Sequence, residues 1–338
     1  MATEDSPPDE LPRLLAKLDR LQQRTPALAV PLAVYKKFSD DEAGKLAALI
    51  SYYAFLSVFP LLIVLATLLS HVLVGHPDLA DEIVSTAAGS FLSIGATGTI
   101  QPLDVSGLAL AIAIVVGLWG GLAVANAMQD AMNSIYEVPK VQRAGFLPSI
   151  LRSLSLLVVV GVGLPTTTVL QGLAADAISG PLASIVTLVL ALGLNALFIS
   201  IAFRWATVAR TSWRGVLPGA VVAAAAWTVM QALATSLLTR QVEGAQADYG
   251  AFAIVIGLLF WFFLLAQVTI YCAELNVVLT SRLWPRGLKS VLRAEADTEA
   301  DIRAYSQYPA REQQALNVQV RTSVVPMPAP KKPRHPRE

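Results

Sequence analysis

The chain has 338 residues, 55% of them hydrophobic and only 14% charged, with a mean hydropathy of +0.58 and a net charge of +1. Soluble domains carry about 25% charged residues, so this composition excludes a water-soluble globule, and the near-neutral balance excludes a strongly basic nucleic-acid binder. The single cysteine, Cys272, excludes an intrachain disulfide and any metal site built on paired thiolates.

The N-terminal stretch Met1 to Glu10 is acidic, and the first long apolar run begins only near Leu46, behind Lys36, Lys37 and Lys45. A cleaved secretory signal has a basic start followed at once by a short apolar stretch, so this chain is expected to insert through its own spans. Leu11, Leu14, Leu15, Leu18 and Leu21 repeat at helical spacing, with Arg13, Lys17, Arg20 and Arg24 elsewhere on the same helix. Such a basic amphipathic helix lies either on the cytoplasmic lipid surface or against the protein's own inner loops. Ser39 or Asp40, followed by Asp41 and Glu42, reads as the N-terminal cap of the next helix.

Crossing about 30 Å of hydrocarbon at about 1.5 Å per residue takes about 20 apolar residues. Stretches of that length occur at 46–74, 105–130, 150–172, 181–203, 215–239 and 250–280, and the short link at 174–180 makes the third and fourth an antiparallel hairpin. Of the 25 basic residues, Arg240 alone falls on the opposite side from the rest when both termini are placed in the cytoplasm. The positive-inside rule therefore gives an all-α bundle of six transmembrane helices with both ends inside. Three regions follow: a cytoplasmic segment at 1–34, a transmembrane domain at 35–285, and a polar, Pro-rich tail at 286–338 whose composition reads as largely disordered. Between the first two spans, residues 83–94 carry an apolar helical face and read as an outer-surface helix.

Polar groups within spans are costly and therefore mark function or pinning. Asn126, Gln129, Asp130 and Asn133 share one face of the second span, and Gln267, Tyr271 and Glu274, with Asn276 nearby, form a stripe on the sixth. Asp130 and Glu274 stand at matching depth near the inner interface, level with Arg204 and Arg214. Two readings follow: carboxylates paired with those arginines as pins, or a polar cavity open to the cytoplasm that takes a charged headgroup, an ion or a proton. Both place the two carboxylates inward. Pro60 loosens the first span, while Gly117, Gly120, Gly121, Gly161 and Gly163 allow close helix approach.

The blocks YYAFLSVFPLL at 52–62, NSIYEV at 133–138, WRGVLPGA at 213–220 and YGAFAIVIGLLFWFFLLAQVTIYCAELN at 249–276 give the chain a resemblance to the YihY/BrkB family of bacterial inner-membrane proteins. The resemblance implies six transmembrane helices and a bacterial plasma-membrane location. Members have carried a ribonuclease label and a serum-resistance label and have been suspected of moving lipids. The motif positions it carries over are Tyr53, Pro60, Asn133, Tyr136, Arg214, Gly215, Pro218, Gly219, Tyr249, Gly250, Glu274 and Asn276. Cys272 stands where the family more often has Gly, which implies looser packing there.

The function expected is transport or export of a lipid or amphipathic envelope component, with membrane lipids as partners, no cofactor and no specific nucleic acid. No P-loop sequence is present. A membrane scaffold is the alternative. A ribonuclease is remote, because Asp40, Asp41 and Glu42 diverge around a helix and His71, His76 and His335 are scattered, so the chain reads as a non-enzyme without a metal.

Overall fold

The computed structural model describes residues 19–73, 107–177, 183–287 and 298–312. Among them are seven α-helices: α1 (Pro26–Asp40), α2 (Ala43–Leu73), α3 (Gly107–Ile135), α4 (Phe146–Ala177), α5 (Ala183–Ala206), α6 (Trp213–Thr280) and α7 (Glu299–Arg311). Of the amphipathic helix expected over residues 11–24, residues 19–24 are helical, with Asp19 and Gln22 buried and Leu21 exposed, while its earlier part and the surface helix expected at 83–94 lie outside the described residues.

Large apolar side chains point outward along the helices, including Val115, Trp119, Leu151, Val189 and Phe260, while alanines crowd the interior at 47, 131, 220, 224 and 273. This inversion is what lipid as solvent dictates. With no hydrophobic force between helices, small residues win the interfaces because they bring backbones close. A Cβ on Gly120 would stand 2.6 Å from Ser57 Cβ, and one on Gly163 would stand 2.7 Å from the Phe198 ring, so both glycines are packing positions. Gly161, by contrast, faces open space. Among the described residues, five helical segments are long and apolar enough to cross a membrane: Ala43–Leu61, Leu110–Ile135, Ile185–Ala206, Trp213–Gln231 and Val255–Thr280.

The last two segments belong to the continuous helical stretch α6, yet they lie side by side. A straight helix would put residues 219 and 276 about 85 Å apart, whereas the Gly219 amide donates to Asn276 Oδ1 at 2.7 Å. The stretch therefore doubles back on itself. Pro218 already interrupts the helical ladder there, and the Cys272 carbonyl occupies the place a Cβ on Gly219 would need. Packing beside Cys272 is therefore tight, not loose. Two blocks distant in sequence, 213–220 and 249–276, meet at this point.

α1 is too short to span. Pro26 starts it, and Ala29, Ala33, Val34 and Phe38 bury against the C-terminal half of α6, where the Phe38 and Tyr271 rings stack with centroids 3.9 Å apart. The boundary expected after residue 34 falls inside this helix. The tail also departs from expectation, because residues 299–311 form α7, with Ala300, Asp301 and Ala304 buried.

Candidate functional site

Two features stand out: a cavity within the bundle and an ion network at one end of it. The cavity has a volume of about 660 Å³ and is bounded by α2, α3, α4, α5 and both halves of α6. Its wall is apolar, with Val124, Met128, Leu156, Phe203, Trp227 and Phe262 among the lining residues. Two of the hydroxyls that reach it are engaged with their own helices, Ser57 donating to the Ala54 carbonyl at 2.9 Å and Thr269 to the Leu265 carbonyl at 2.8 Å, and Thr167 and Asn195 also line it.

The ion network is centred on Lys37, whose ammonium is fully buried. It lies 2.5 Å from Asp41, 3.2 Å from Glu274 and 3.4 Å from Glu137, and donates to the Ile135 carbonyl at 3.1 Å. A cation is favoured at that spot because it caps the last carbonyl of α3, that of Ile135, at the negative end of the helix. Burial alone depresses the Lys37 pKa, but Glu274, Asp41 and Glu137 more than reverse this, so the ammonium stays charged. Burial pushes the Glu137 carboxyl up to about 7, with Lys37 pulling against it.

Local chain geometry explains Glu137. After α3 ends, Glu137 adopts φ 53°, while Glu137 N–H donates to the Ser134 carbonyl and Val138 N–H to the Asn133 carbonyl. This is a Schellman ending, in which glycine normally takes the left-handed position. A side chain there costs about 1–2 kcal/mol, and what it brings is a carboxylate into the Lys37 cluster.

α7 closes the network from outside. Arg311 lies 3.0 Å from Asp41 and 3.9 Å from Glu137, and the Tyr308 hydroxyl donates to Asp40 at 3.2 Å. Asp301 receives Lys36 and Arg286, each at 2.8 Å, together with the Gly287 amide at 2.9 Å. Arg286 also reaches Asp40 at 2.8 Å.

Glu274 faces inward, as expected, but its partner is Lys37 and neither Arg204 nor Arg214. Arg204 stacks over the Trp213 ring at 4.5 Å, and Arg214 is exposed. Asp130 is a correction: its side chain is 68% exposed, 4.0 Å from Arg143. It stands about 7–8 Å from the end of α3, close enough to the interface for the cost of outward placement to be small. The rest of that stripe locks helices together. Asn126 accepts from Ser149 and Ser153, Gln129 donates to Ser153 at 2.6 Å, and Asn133 accepts from Thr207 and the Val208 amide. On the sixth-span stripe, Gln267 is half-buried, Tyr271 stacks on Phe38, and Asn276 holds Gly219.

Among the other motif positions, Tyr53 packs on the core, Pro60 lies within α2, Tyr136 is beside Glu137, and Gly215 donates its amide to the capping Ser212 hydroxyl at 3.1 Å. Tyr249 and Gly250 lie where the side chains of α6 are outside the described residues. Asp41 and its neighbours do not form an N-terminal cap; Asp41 closes the C-terminus of α1 and pairs with Lys37. Sequence reasoning missed Lys37, Glu137, Arg286, Asp301 and Arg311. One readable signal was the i,i+4 pair Lys37 and Asp41 directly before the first span. Another was Thr298-Glu-Ala-Asp301, a capping-box pattern.

A bundle with apolar flanks, an apolar internal cavity and its buried charges gathered at one end defines a multi-pass membrane protein. The chain belongs to the BrkB family, whose model, described as virulence factor BrkB, matches residues 34–294. It is 27% identical over 269 residues to the ribonuclease-like protein YfkH of Bacillus subtilis, covering 74% of this chain and 94% of that one. It is 25% identical over 275 residues to the inner membrane protein YhjD of Escherichia coli, covering 74% and 81%. No solved structure matches the chain.

Proposed function

We propose that the protein is a six-span transporter of the bacterial inner membrane, with both termini in the cytoplasm, that moves a lipid or amphipathic envelope component and does no covalent chemistry. The observation that carries this reading is the cavity of about 660 Å³ inside the bundle. Apolar walls of that extent accept hydrocarbon. The remaining span of the six, third in chain order, is α4, 32 residues long, whose described apolar part is Phe146–Gly161. The location is supported by the relative named as an inner membrane protein and by the outward apolar surface. The ribonuclease-like name of the other relative finds no supporting arrangement of residues: among the described residues no group of His, Cys, Asp and Glu is placed to hold a metal.

The test is transbilayer movement of fluorescent phospholipids in liposomes carrying the purified chain. Faster movement than in protein-free vesicles is expected. Ala202→Phe, which projects a ring into the cavity, should slow it several-fold while leaving the protein folded. Folded protein that moves none of a panel of anionic and zwitterionic lipids would leave the scaffold reading in possession.

A further inference from the structure

The ion network has an odd charge out. Its outer part is balanced, because Lys36 and Arg286 face Asp40 and Asp301. Its inner part is not, because three carboxylates, Asp41, Glu137 and Glu274, face two cations, Lys37 and Arg311. Asp41 and Glu274 are fully buried and Glu137 is 11% exposed, so solvent does not absorb the excess. An uncompensated buried carboxylate is among the costliest groups a fold can hold, and the usual resolution is to neutralise it.

A second, independent observation points the same way. Both oxygens of Glu274 and Glu137 Oε2 are buried without a well-formed hydrogen bond, although Glu274 Oε2 is ion-paired with Lys37 and Glu137 Oε2 lies 3.9 Å from Arg311. Carboxylate oxygens crowd one lysine here, and Asp41 stands close enough to Glu274 for one hydrogen to be shared between them. A metal does not fit, since Lys37 fills the centre of the group and no metal-holding arrangement exists among the described residues.

We propose that Asp41, Glu137 and Glu274 together bind one exchangeable proton beside Lys37, forming a proton site where α3 and α6 end. With the proton bound, the five inner charges cancel. On release the O–H bond of the Glu274 carboxyl breaks and its electron pair stays on oxygen. The proton passes by way of Asp41, which lies beside both, to Glu137, the member of the trio with an exposed edge, and from there to water, while Lys37 holds the anion left behind. Glu137, pushed by burial up to about 7, titrates in the range this relay needs. The groups facing the site are Lys37 and Asp41 at the end of α1, Tyr136 and Glu137 after α3, Glu274 and Asn276 on α6, and Tyr308 and Arg311 on α7. Its use in coupling transport to a proton gradient rests on the transport reading, but occupancy of the site does not.

The test is an infrared pH titration of the full chain in liposomes, reading the C=O stretch of a protonated carboxyl, paired with the lipid-movement assay under an imposed pH gradient. The wild-type protein should show a buried protonated carboxyl at neutral pH that is lost on alkalinisation. Glu274→Gln removes the excess charge and should abolish that band while keeping the fold. If lipid moves, the same change should remove its dependence on the gradient. Absence of the band from wild type, or its persistence in Glu274→Gln, Glu137→Gln and Asp41→Asn alike, overturns the proton site. A band present in folded protein that moves no lipid upholds the site and removes the transport reading instead.

Discussion

Lys37 is a residue whose loss the fold tolerates poorly. It is fully buried among carboxylates from three different chain segments. Truncating one member of such a group leaves the others charged and unpaired, at a cost of about 3–5 kcal/mol, whereas removing both members of a pair costs much less. Lys37→Met is therefore expected to lower the stability of the detergent-solubilised protein by that order. Lys37→Met combined with Glu274→Gln should recover a large part of the loss. A denaturation series on the two single variants and the double variant measures the coupling directly. Additive losses would mean that the 3.2 Å contact between Lys37 and Glu274 carries no energy.

At the scale of the helix, α7 is an element that the composition of its surroundings conceals. The residues from 286 onward are polar and Pro-rich, and read by composition they bury nothing. The local pattern says otherwise: Thr298 and Asp301 cap each other reciprocally, and Ala300, Asp301, Ala304 and Tyr308 share one helical face. Asp301 is the anchor. Burial works against its charge, but hydrogen bonds from Lys36, the Gly287 amide, Arg286 and Thr298 outweigh it and lower its pKa to about 2. A carboxyl lowered in the folded state stabilises docking above its ordinary value of 3.8 and loses that contribution as the pH falls toward 2. The lowering corresponds to about 2 kcal/mol. α7 should therefore loosen on acidification between those values, seen as faster backbone amide exchange in residues 299–311 after correction for intrinsic pH effects. Asp301→Asn should show the loosened behaviour already at neutral pH. Unchanged protection of α7 across that range would mean that Asp301 is not what holds it.

Across the whole molecule, what the sequence discloses and what it conceals divide along a physical line. Lipid as solvent demands long apolar runs, so the spans expected at 46–74, 105–130, 150–172 and 181–203 fall on α2, α3, α4 and α5 within a few residues. The runs at 215–239 and 250–280 are the two halves of α6. Which polar residue meets which is a long-range fact that no period encodes: Lys37 and Glu274 are 237 positions apart. Asp130 shows the limit most clearly. At about 100° per residue it sits about 40° from Asn126, with Gln129 about 60° to the other side. α4 packs on the Asn126 and Gln129 side through Ser149 and Ser153, which leaves Asp130 on the outward edge.

Orientation across the membrane is the property of the whole chain that the positive-inside pattern speaks to most directly. The basic residues flanking α3, α4, α5 and the start of α6, namely Lys140, Arg143, Arg152, Arg204, Arg210 and Arg214, cluster at helix ends that the six-span reading puts in the cytoplasm. The same reading puts the link between α4 and α5 outside. With Cys272 replaced, a cysteine at Ser179 should react with an impermeant thiol reagent in intact cells. Cysteines at Lys140 and Arg210 should stay protected until the membrane is permeabilised. The Lys37 network touches Glu137, three residues before Lys140, so this assignment also decides which compartment supplies the proton. Labelling of Lys140→Cys from outside would invert the protein and turn the proposed proton site toward the periplasm, while labelling at Arg210 but not Lys140 would break the six-span count.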